Sequence, residues 1–230
     1  MSVNLAIDTC FKNWSITISN EEEIITKEFI SKNDISSIFV NSVDEILKQM
    51  NIEIRDVDLF SITNGPGLFT GIRIGLSAIK GLNFALRKPV VSLTTLEVIG
   101  YQANKSGQHV LSLVNARRNE VYASIFDYSK NITKTILEPI LLNINDLKEY
   151  LSRFEPFVIV SYDLEDYTEL LENQYSNLKL IPSDRFLSEN LLNLSFLYYR
   201  NGLFIKDLDE MNPFYIRKPD AEVKNKRTNK

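Results

Sequence analysis

The sequence predicts an α/β protein in two lobes, and three observations lead to this fold class. Apolar residues alternate along the chain between the two-residue period of strands and the 3.6-residue period of helices. Residues 3–93 give three consecutive strands followed by helix, strand, helix and strand. A shorter and more irregular unit begins near Ser106 and Gly107. We therefore expect an N-terminal lobe at residues 1–105, a smaller C-terminal lobe at 106–212 and a C-terminal segment with a basic tail at 213–230.

The first lobe opens with three strands, expected at residues 3–8, 15–19 and 24–30 and joined by turns of Asn, Lys and Glu. Residues 35–50 carry apolar side chains at helical spacing, and Asp34 is a suitable N-cap. The other elements of this lobe are a strand at 57–63, a helix at 69–86, a strand at 90–93 and a helix that begins at Thr94 or Thr95.

The second lobe has weaker periodicity. Its predicted elements are strands at 110–114, 120–127, 133–142 and 157–161, short helices at 144–151 and 164–171, and a late helix at 188–199.

The most informative segment is the turn at residues 64–68 with the helix that follows it. Pro66 fixes φ, and the flanking Gly65 and Gly67 tolerate positive φ, so a sharp reversal is expected. The turn lacks the Gly-Lys-Ser/Thr ending of a Walker phosphate loop. Small residues recur on one helix stripe at Gly71, Gly75, Ala78 and Ala85.

Each glycine in a helix interior costs about 0.5–1 kcal/mol relative to alanine, so a close neighbour is expected to compensate. Two explanations remain open: packing of the helix inside the domain, or a face for a partner helix. The partner explanation assigns the interface to six residues: Ile38, Gly71, Ile74, Gly75, Ala78 and Leu82.

Residues able to support chemistry are few. His109 is the single histidine and Cys10 the single cysteine, so the chain offers neither a histidine pair for a metal nor an internal disulfide. The adjacent Arg117 and Arg118, expected on opposite faces of a strand, suit a phosphate or carboxylate, with a salt bridge to Glu120 as the structural alternative.

The composition is typical of a globular domain. No stretch approaches the ~18 apolar residues of a membrane helix, and no secretory signal is evident, so a cytoplasmic location without membrane contact is expected. The formal net charge is −4, yet residues 217–230 hold six basic and two acidic side chains. This tail is either a solvated end or a contact for phosphate groups.

Four motifs resemble the TsaB (YeaZ) family of tRNA threonylcarbamoyladenosine biosynthesis proteins. Residues 64–86 are similar to that family's Gly-Pro-Gly turn and helix, and residues 5–10 to its opening strand. Residues 115–122 are similar to its Asp-Ala-Arg-Arg-Gly-Glu-Val-Tyr, and 213–217 to its Pro-x-Tyr-Leu-Arg. The chain departs from the pattern at Leu68, Asn115 and Asn119, and it lacks the histidine that the family often has near residues 32–34.

The resemblance implies an actin-like ATPase (ASKHA, RNase H-like) fold with a reduced C-terminal lobe. It further implies a protein without a complete active site that activates TsaD in threonylcarbamoyl transfer to an adenosine beside the tRNA anticodon. The expected partners are a TsaD-like catalytic subunit and a TsaE-like ATPase, with tRNA reached through the complex and a homodimer formed when the chain is alone. No cofactor of its own is expected; ATP and Mg²⁺ would act at the level of the complex.

The actin-like fold also directs attention to Asp8 and Thr9, at the end of the first strand. The resemblance implies a nucleotide contact there, although bulky residues replace the glycine-rich phosphate hairpin and Asp8 also suits a turn cap. Two alternative functions stay open at this stage, a glycoprotease-like peptidase and a small-molecule kinase of the same superfold.

Overall fold

The computed structural model describes residues 3–20, 22–30, 35–103, 109–129, 133–154, 157–174 and 179–217. The first lobe is a five-stranded sheet in the order β3-β2-β1-β4-β5. The outer three strands are antiparallel neighbours, whereas β1, β4 and β5 run parallel. Its strands are β1 (Val3–Asp8), β2 (Asn13–Ser19), β3 (Ile24–Ile30), β4 (Val57–Thr63) and β5 (Val90–Leu93).

Helices cover both faces of this sheet. On one face lie α1 (Ile35–Gln49) and α2 (Phe69–Leu86). The opposite face carries α6 (Ser188–Arg200), which comes from the end of the chain. Small polar side chains of the sheet bind α6: the hydroxyls of Thr17 and Ser188 lie 2.7 Å apart, and the Ser188 amide donates to Ser15 Oγ over 3.2 Å. Buried hydroxyls thus find hydrogen-bond partners where the first and last parts of the chain meet.

The second lobe repeats the topology of the first. Its sheet has the order β10-β9-β6-β7-β8, with β6, β7 and β8 antiparallel and β6, β9 and β10 parallel. The reduction of this lobe lies in its covering helices, α4 (Leu147–Leu151) and α5 (Thr168–Gln174), which are short. The strands are β6 (His109–Arg117), β7 (Glu120–Asp127), β8 (Lys134–Asn143), β9 (Phe157–Tyr162) and β10 (Leu180–Pro182).

Helix α3 (Thr95–Tyr101) lies on the second sheet although it follows the strands of the first. The exchange of α3 and α6 between the lobes produces one continuous hydrophobic core, which includes Leu5 of β1, Leu191 of α6 and Val110 of β6. A second, smaller core lies beneath α4 and α5 and contains Leu113 and Leu171. The two sheets are therefore joined by buried apolar surface.

The predicted two-lobe α/β fold is confirmed, and most predicted elements are observed within one to four residues of their bounds. Helix α2 and five strands match to the residue. Prediction missed β10, which is short, and began α4 three residues and α5 four residues too early, because a single 3₁₀ turn precedes each helix. Asp34, the expected N-cap, lies outside the described residues.

Candidate functional site

The candidate site is the cleft where the carboxyl ends of β1 and β4 face those of β6 and β9. A cavity of about 280 Å³ lies there, lined by residues of both lobes, among them Lys12, Gly67, Asn115 and Arg117. A second cavity of about 590 Å³ adjoins it and shares Asn13, Tyr162 and Asp163. Ligands of open α/β sheets bind outside the carboxyl ends of parallel strands, so this is the expected place for a binding site.

An aromatic pair fills the interior of this cleft. Phe11 follows β1 and stacks on Tyr162 of β9, with ring centroids 4.0 Å apart and planes inclined by 19°. Both rings are buried, and the Tyr162 hydroxyl donates to the carbonyl of Arg185 over 3.3 Å. Burial, more than the nearby charge of Asp8, raises the pKa of Tyr162, so its hydroxyl stays protonated. The sequence has bulky residues after β1 in place of a glycine-rich phosphate hairpin. One of them, Phe11, connects the two lobes by packing on Tyr162.

Asp8 lies at the end of β1 and is fully buried. Its Oδ1 accepts hydrogen bonds from Thr63 Oγ1 over 2.5 Å and from the Cys10 amide over 3.3 Å. Its Oδ2 has no hydrogen-bond partner within the described part of the chain. Burial raises the pKa of Asp8 to about 6, although both hydrogen bonds lower it. The contact to Cys10 is the turn cap that the sequence suggested.

Thr9 is also fully buried, and its hydroxyl donates to the carbonyl of Gly71 in α2 over 2.8 Å. Neither Asp8 nor Thr9 has surface exposed to the cleft in this conformation. A nucleotide contact at these residues therefore stays a prediction, and it would need the Phe11 turn to move. Cys10 is likewise buried, and burial raises the pKa of its thiol, which favours a structural role.

The two adjacent arginines occupy a tight turn. Arg117, Arg118 and Asn119 all have left-handed backbone conformations, with φ of 65°, 58° and 59°. The prediction that the two arginines lie on opposite faces of a strand is therefore wrong. Asn115 Oδ1 accepts from the Arg117 amide over 2.8 Å, and the Arg117 guanidinium contacts Asp163 over 2.7 Å. Anion binding by this turn stays a prediction.

Glu120, the expected alternative partner of these arginines, forms an ion pair with Arg217. Arg217 also donates to the carbonyl of Ala116 over 2.9 Å. Further back, the Phe214 amide donates to the Asn64 carbonyl over 2.8 Å. The end of the described chain is thus fixed between the Gly-Pro-Gly turn and the arginine turn, whereas the tail at 218–230 lies outside the described residues.

The glycine stripe of α2 divides into two parts. Gly71 and Gly75 are buried, and a Cβ at either position would overlap with Thr9. For these two glycines the explanation is packing inside the domain, and their assignment to a partner interface is corrected. Gly67 in the preceding turn likewise leaves room for the Cys10 carbonyl. Of the two glycines in that turn, only Gly65 has a positive φ, which is 112°.

The rest of the predicted interface remains partly exposed. Ile38 on α1 and Ile74, Ala78 and Leu82 on α2 are half-buried. Gly81 lies on the same face and is exposed, and a Cβ built at this position would have no heavy atom within 4 Å. The sequence reasoning missed Gly81 as well as two strongly exposed apolar side chains on the same helices, Val40 and Phe84. The period of the helix alone would have placed Gly81 beside Ala78.

Among the described residues, no cluster of three or more His, Cys, Asp or Glu side chains is arranged to hold a metal ion. No helix in the described ranges is long and apolar enough to cross a membrane.

Comparison with known proteins gives a consistent result. The family model described as TsaD, tRNA N6-adenosine threonylcarbamoyltransferase, matches residues 28–155. The tRNA threonylcarbamoyladenosine biosynthesis protein TsaB of Bacillus subtilis is 23% identical over 223 residues, which cover 96% of each chain. The Escherichia coli protein of the same name is 27% identical over 143 residues, 59% of this chain and 62% of that protein.

The structural comparison supports the fold. YeaZ from Pseudomonas aeruginosa superimposes with a TM-score of 0.77 at 21% identity, covering 94% of this chain and 100% of that one. An inorganic polyphosphate/ATP-glucomannokinase from Arthrobacter sp. strain KM gives a TM-score of 0.52 at 10% identity, covering 87% of this chain and 100% of that one. The two-lobe architecture is thus that of the actin-like fold.

Proposed function

Because the chain belongs to the TsaD family and groups within it with the TsaB (YeaZ) proteins, we propose that it acts in the synthesis of threonylcarbamoyladenosine in tRNA. Its role in that pathway is to bind and activate a TsaD-like threonylcarbamoyltransferase rather than to perform the transfer. The chain itself needs no cofactor in this role. ATP and Mg²⁺ act in the complex through a TsaE-like ATPase, and tRNA is bound through the complex.

One observation carries the non-catalytic part of this proposal. The Phe11–Tyr162 stack occupies the cleft in which an actin-like enzyme would bind phosphate, and Asp8 behind it has no exposed surface. Opening the cleft would separate two stacked, buried rings, which contribute to stability beyond their buried area. The same observation argues against a small-molecule kinase. Cys10 is a poor nucleophile for the peptidase alternative, because its thiol is buried and burial raises the pKa of that thiol.

The partner surface in this proposal is the exposed side of α1 and α2. On α2 the residues Ala78, Gly81 and Ala85 are small and at least partly exposed, so a second helix can approach closely. Val40 of α1 is 69% exposed and Phe84 of α2 is 74% exposed. Burial of either side chain against a partner would be favourable because it removes apolar surface from water. In the absence of the catalytic subunit, the same surface is expected to form a homodimer.

Replacement of Gly81 by tryptophan tests this surface. A Cβ at this position would have no heavy atom within 4 Å, so the fold is expected to persist while the large side chain blocks the approach of a second helix. Asn193→Trp is the matched control, because Asn193 is an exposed residue of α6 on the opposite face of the sheet. Co-purification with the cognate TsaD-like subunit, light scattering and circular dichroism are the measurements.

The proposal expects Gly81→Trp to lose both the catalytic subunit and the homodimer while Asn193→Trp keeps them. A folded Gly81→Trp protein that binds the subunit normally would rule out this surface.

Activity is measured separately, as threonylcarbamoyladenosine formed by TsaD-like and TsaE-like subunits with and without this chain. Stimulation is expected, and modification by this chain alone, supplied with threonylcarbamoyl-adenylate, would contradict the non-catalytic role. Incubating the chain with ATP and Mg²⁺, or with a peptide substrate, checks the kinase and peptidase alternatives.

A further inference from the structure

We propose that an acidic segment of a partner protein, with an apolar side chain among its carboxylates, binds in a groove at the end of α2. The groove has a volume of about 590 Å³ and lies between the last turn of α2 and the residues that follow α6. We call it the α2-end groove, and its lining includes Phe84, Arg87, Phe204 and Lys206. Among the described residues it shares none of its lining with the cleft between the lobes, so it is a second site.

The two walls of the groove are fixed by backbone hydrogen bonds. Helix α2 is closed by Arg87, whose left-handed backbone (φ 55°, ψ 40°) lets its amide donate to the Asn83 carbonyl over 2.8 Å. The Asn83 side chain donates in turn to the carbonyl of Lys88. On the other wall, the Ile205 amide donates to the carbonyl of Val90 in the edge strand β5 over 2.7 Å. A groove held in this way loses little conformational freedom when a ligand binds.

Each wall presents a cation beside an aromatic ring. The Arg87 guanidinium lies over the ring of Phe84, 6.0 Å from its centroid, and the Lys206 ammonium lies 5.7 Å from the centroid of Phe204. Within the described part of the chain, neither cation forms an ion pair with a carboxylate. Contact with the rings orients both cations and leaves their charge available to a ligand.

The charge of the groove is opposite in sign to that of the whole chain, which is −4. Three cations line it, and the third, Lys88, pairs over 3.7 Å with Asp58, which lies outside the lining. Asp207 is the one carboxylate among the described lining residues, and its Oδ1 accepts from the Asp209 amide over 3.0 Å. Glu210, like Asp209, does not line the groove. The lining therefore has an excess of positive charge that attracts carboxylates.

An acidic segment complements both the charge and the apolar surface. Its carboxylates would pair with Arg87 and Lys206, while an apolar side chain between them would cover the exposed ring of Phe84. Clusters of basic side chains recognise acidic motifs in this manner. A nucleic acid fits less well, because its phosphates form a long row that needs a matching row of cations, and the net charge of the chain opposes its approach.

The test uses the full-length chain and a fluorescein-labelled peptide in which three glutamates precede and three follow one leucine. Fluorescence anisotropy is measured at about 50 mM salt, where surface charges are weakly screened. We expect Arg87→Glu and Lys206→Glu each to raise the Kd of the peptide about fivefold or more, because a pairing cation becomes a repelling carboxylate. Lys206 lies outside helices and strands, so its replacement decides the matter even if Arg87→Glu does not fold.

Arg153→Glu is the matched control, because Arg153 is an exposed cation that lies over the ring of Phe154 in the second lobe, 4.9 Å from its centroid. We expect this variant to keep the Kd of the wild type, and circular dichroism checks that each variant is folded. A peptide with serine in place of the leucine should bind about fivefold more weakly, because it buries less apolar surface. Phe84 also belongs to the surface proposed for the TsaD-like subunit, so no substitution is placed there.

The proposal is overturned if Arg153→Glu weakens binding as much as Lys206→Glu, or if the serine peptide binds as tightly as the leucine peptide. It is also overturned if a single-stranded oligonucleotide of equal charge binds more tightly than the peptide and depends on Lys206, which would indicate a nucleic acid as the ligand. These measurements need no catalytic subunit. A chain that binds the peptide but does not stimulate threonylcarbamoyladenosine synthesis would contradict the proposed function alone, and a stimulating chain that does not bind the peptide would contradict the groove alone.

Discussion

Two glycines of α2, ten residues apart, are expected to respond to the same substitution in opposite directions. Gly71 faces the backbone of Thr9, so an alanine Cβ would overlap with the Thr9 carbonyl oxygen. Gly81 faces open space. The pair Gly71→Ala and Gly81→Ala therefore compares identical chemistry in one helix, and only the tertiary environment differs.

The magnitudes follow from the contacts. Alanine in place of glycine favours a helix interior by about 1 kcal/mol. At Gly71 this gain is opposed by overpacking, typically about 1–3 kcal/mol, and by disruption of the Thr9–Gly71 hydrogen bond, about 1 kcal/mol. We expect Gly71→Ala to lower the free energy of unfolding by about 2 kcal/mol and Gly81→Ala to raise it by about 0.5–1 kcal/mol.

Thermal unfolding followed by circular dichroism measures both variants. In a chain of this size 1 kcal/mol corresponds to about 2–4 °C, so Tm should fall by about 4–8 °C for Gly71→Ala and rise by about 2 °C for Gly81→Ala. Equal Tm values for Gly71→Ala and the wild type would refute the close approach of α2 to the Thr9 turn. A fall in Tm for Gly81→Ala would show that this face is covered within the subunit.

Three further predictions concern the cleft and the C-terminal segment. Burial raises the pKa of Asp8 from 3.8 to about 6, so the folded state binds its proton more tightly than the unfolded chain. The stabilisation by protonated Asp8 is complete below about pH 4 and is lost as the pH rises through about 6. We therefore expect Asp8→Asn to flatten the plot of Tm against pH between these values. A plot with the same slope as that of the wild type would contradict the raised pKa of Asp8. Phe11→Ala should lower the free energy of unfolding by about 3 kcal/mol in urea titration, because a buried stacked ring is removed, and a decrease below about 1 kcal/mol would show that the cleft opens freely. Truncation after Arg217 should leave Tm unchanged, whereas truncation before Phe214 should lower Tm. The shorter chain loses the Phe214–Asn64 hydrogen bond and the contacts of Arg217. Equal effects of the two truncations on Tm would contradict this account.

Local sequence determined the elements of the fold. The strands of the first sheet were predictable because buried apolar runs bounded by turn residues have few other stable arrangements. Helix α2 was predictable to the residue because the Gly-Pro-Gly turn precedes it and Pro89 follows closely after its end. The motifs shared with the TsaB family also lie in local segments, so the family and pathway were accessible from the sequence.

Contacts between distant parts of the chain decided the rest. The rotation of α2 about its axis, and hence the division between inward Gly71 and outward Gly81, depends on Thr9, which is 62 residues from Gly71. The buried Asp8 carboxylate accepts a hydrogen bond from Thr63, 55 residues away, and the filled cleft depends on Tyr162 of the other lobe. Periodicity fixes which residues share a helix face, but it does not specify what covers that face. The exchange of α3 and α6 between lobes and the docking of Arg217 beside the arginine turn follow from the same cause: burial and hydrogen bonding are satisfied by the whole chain at once.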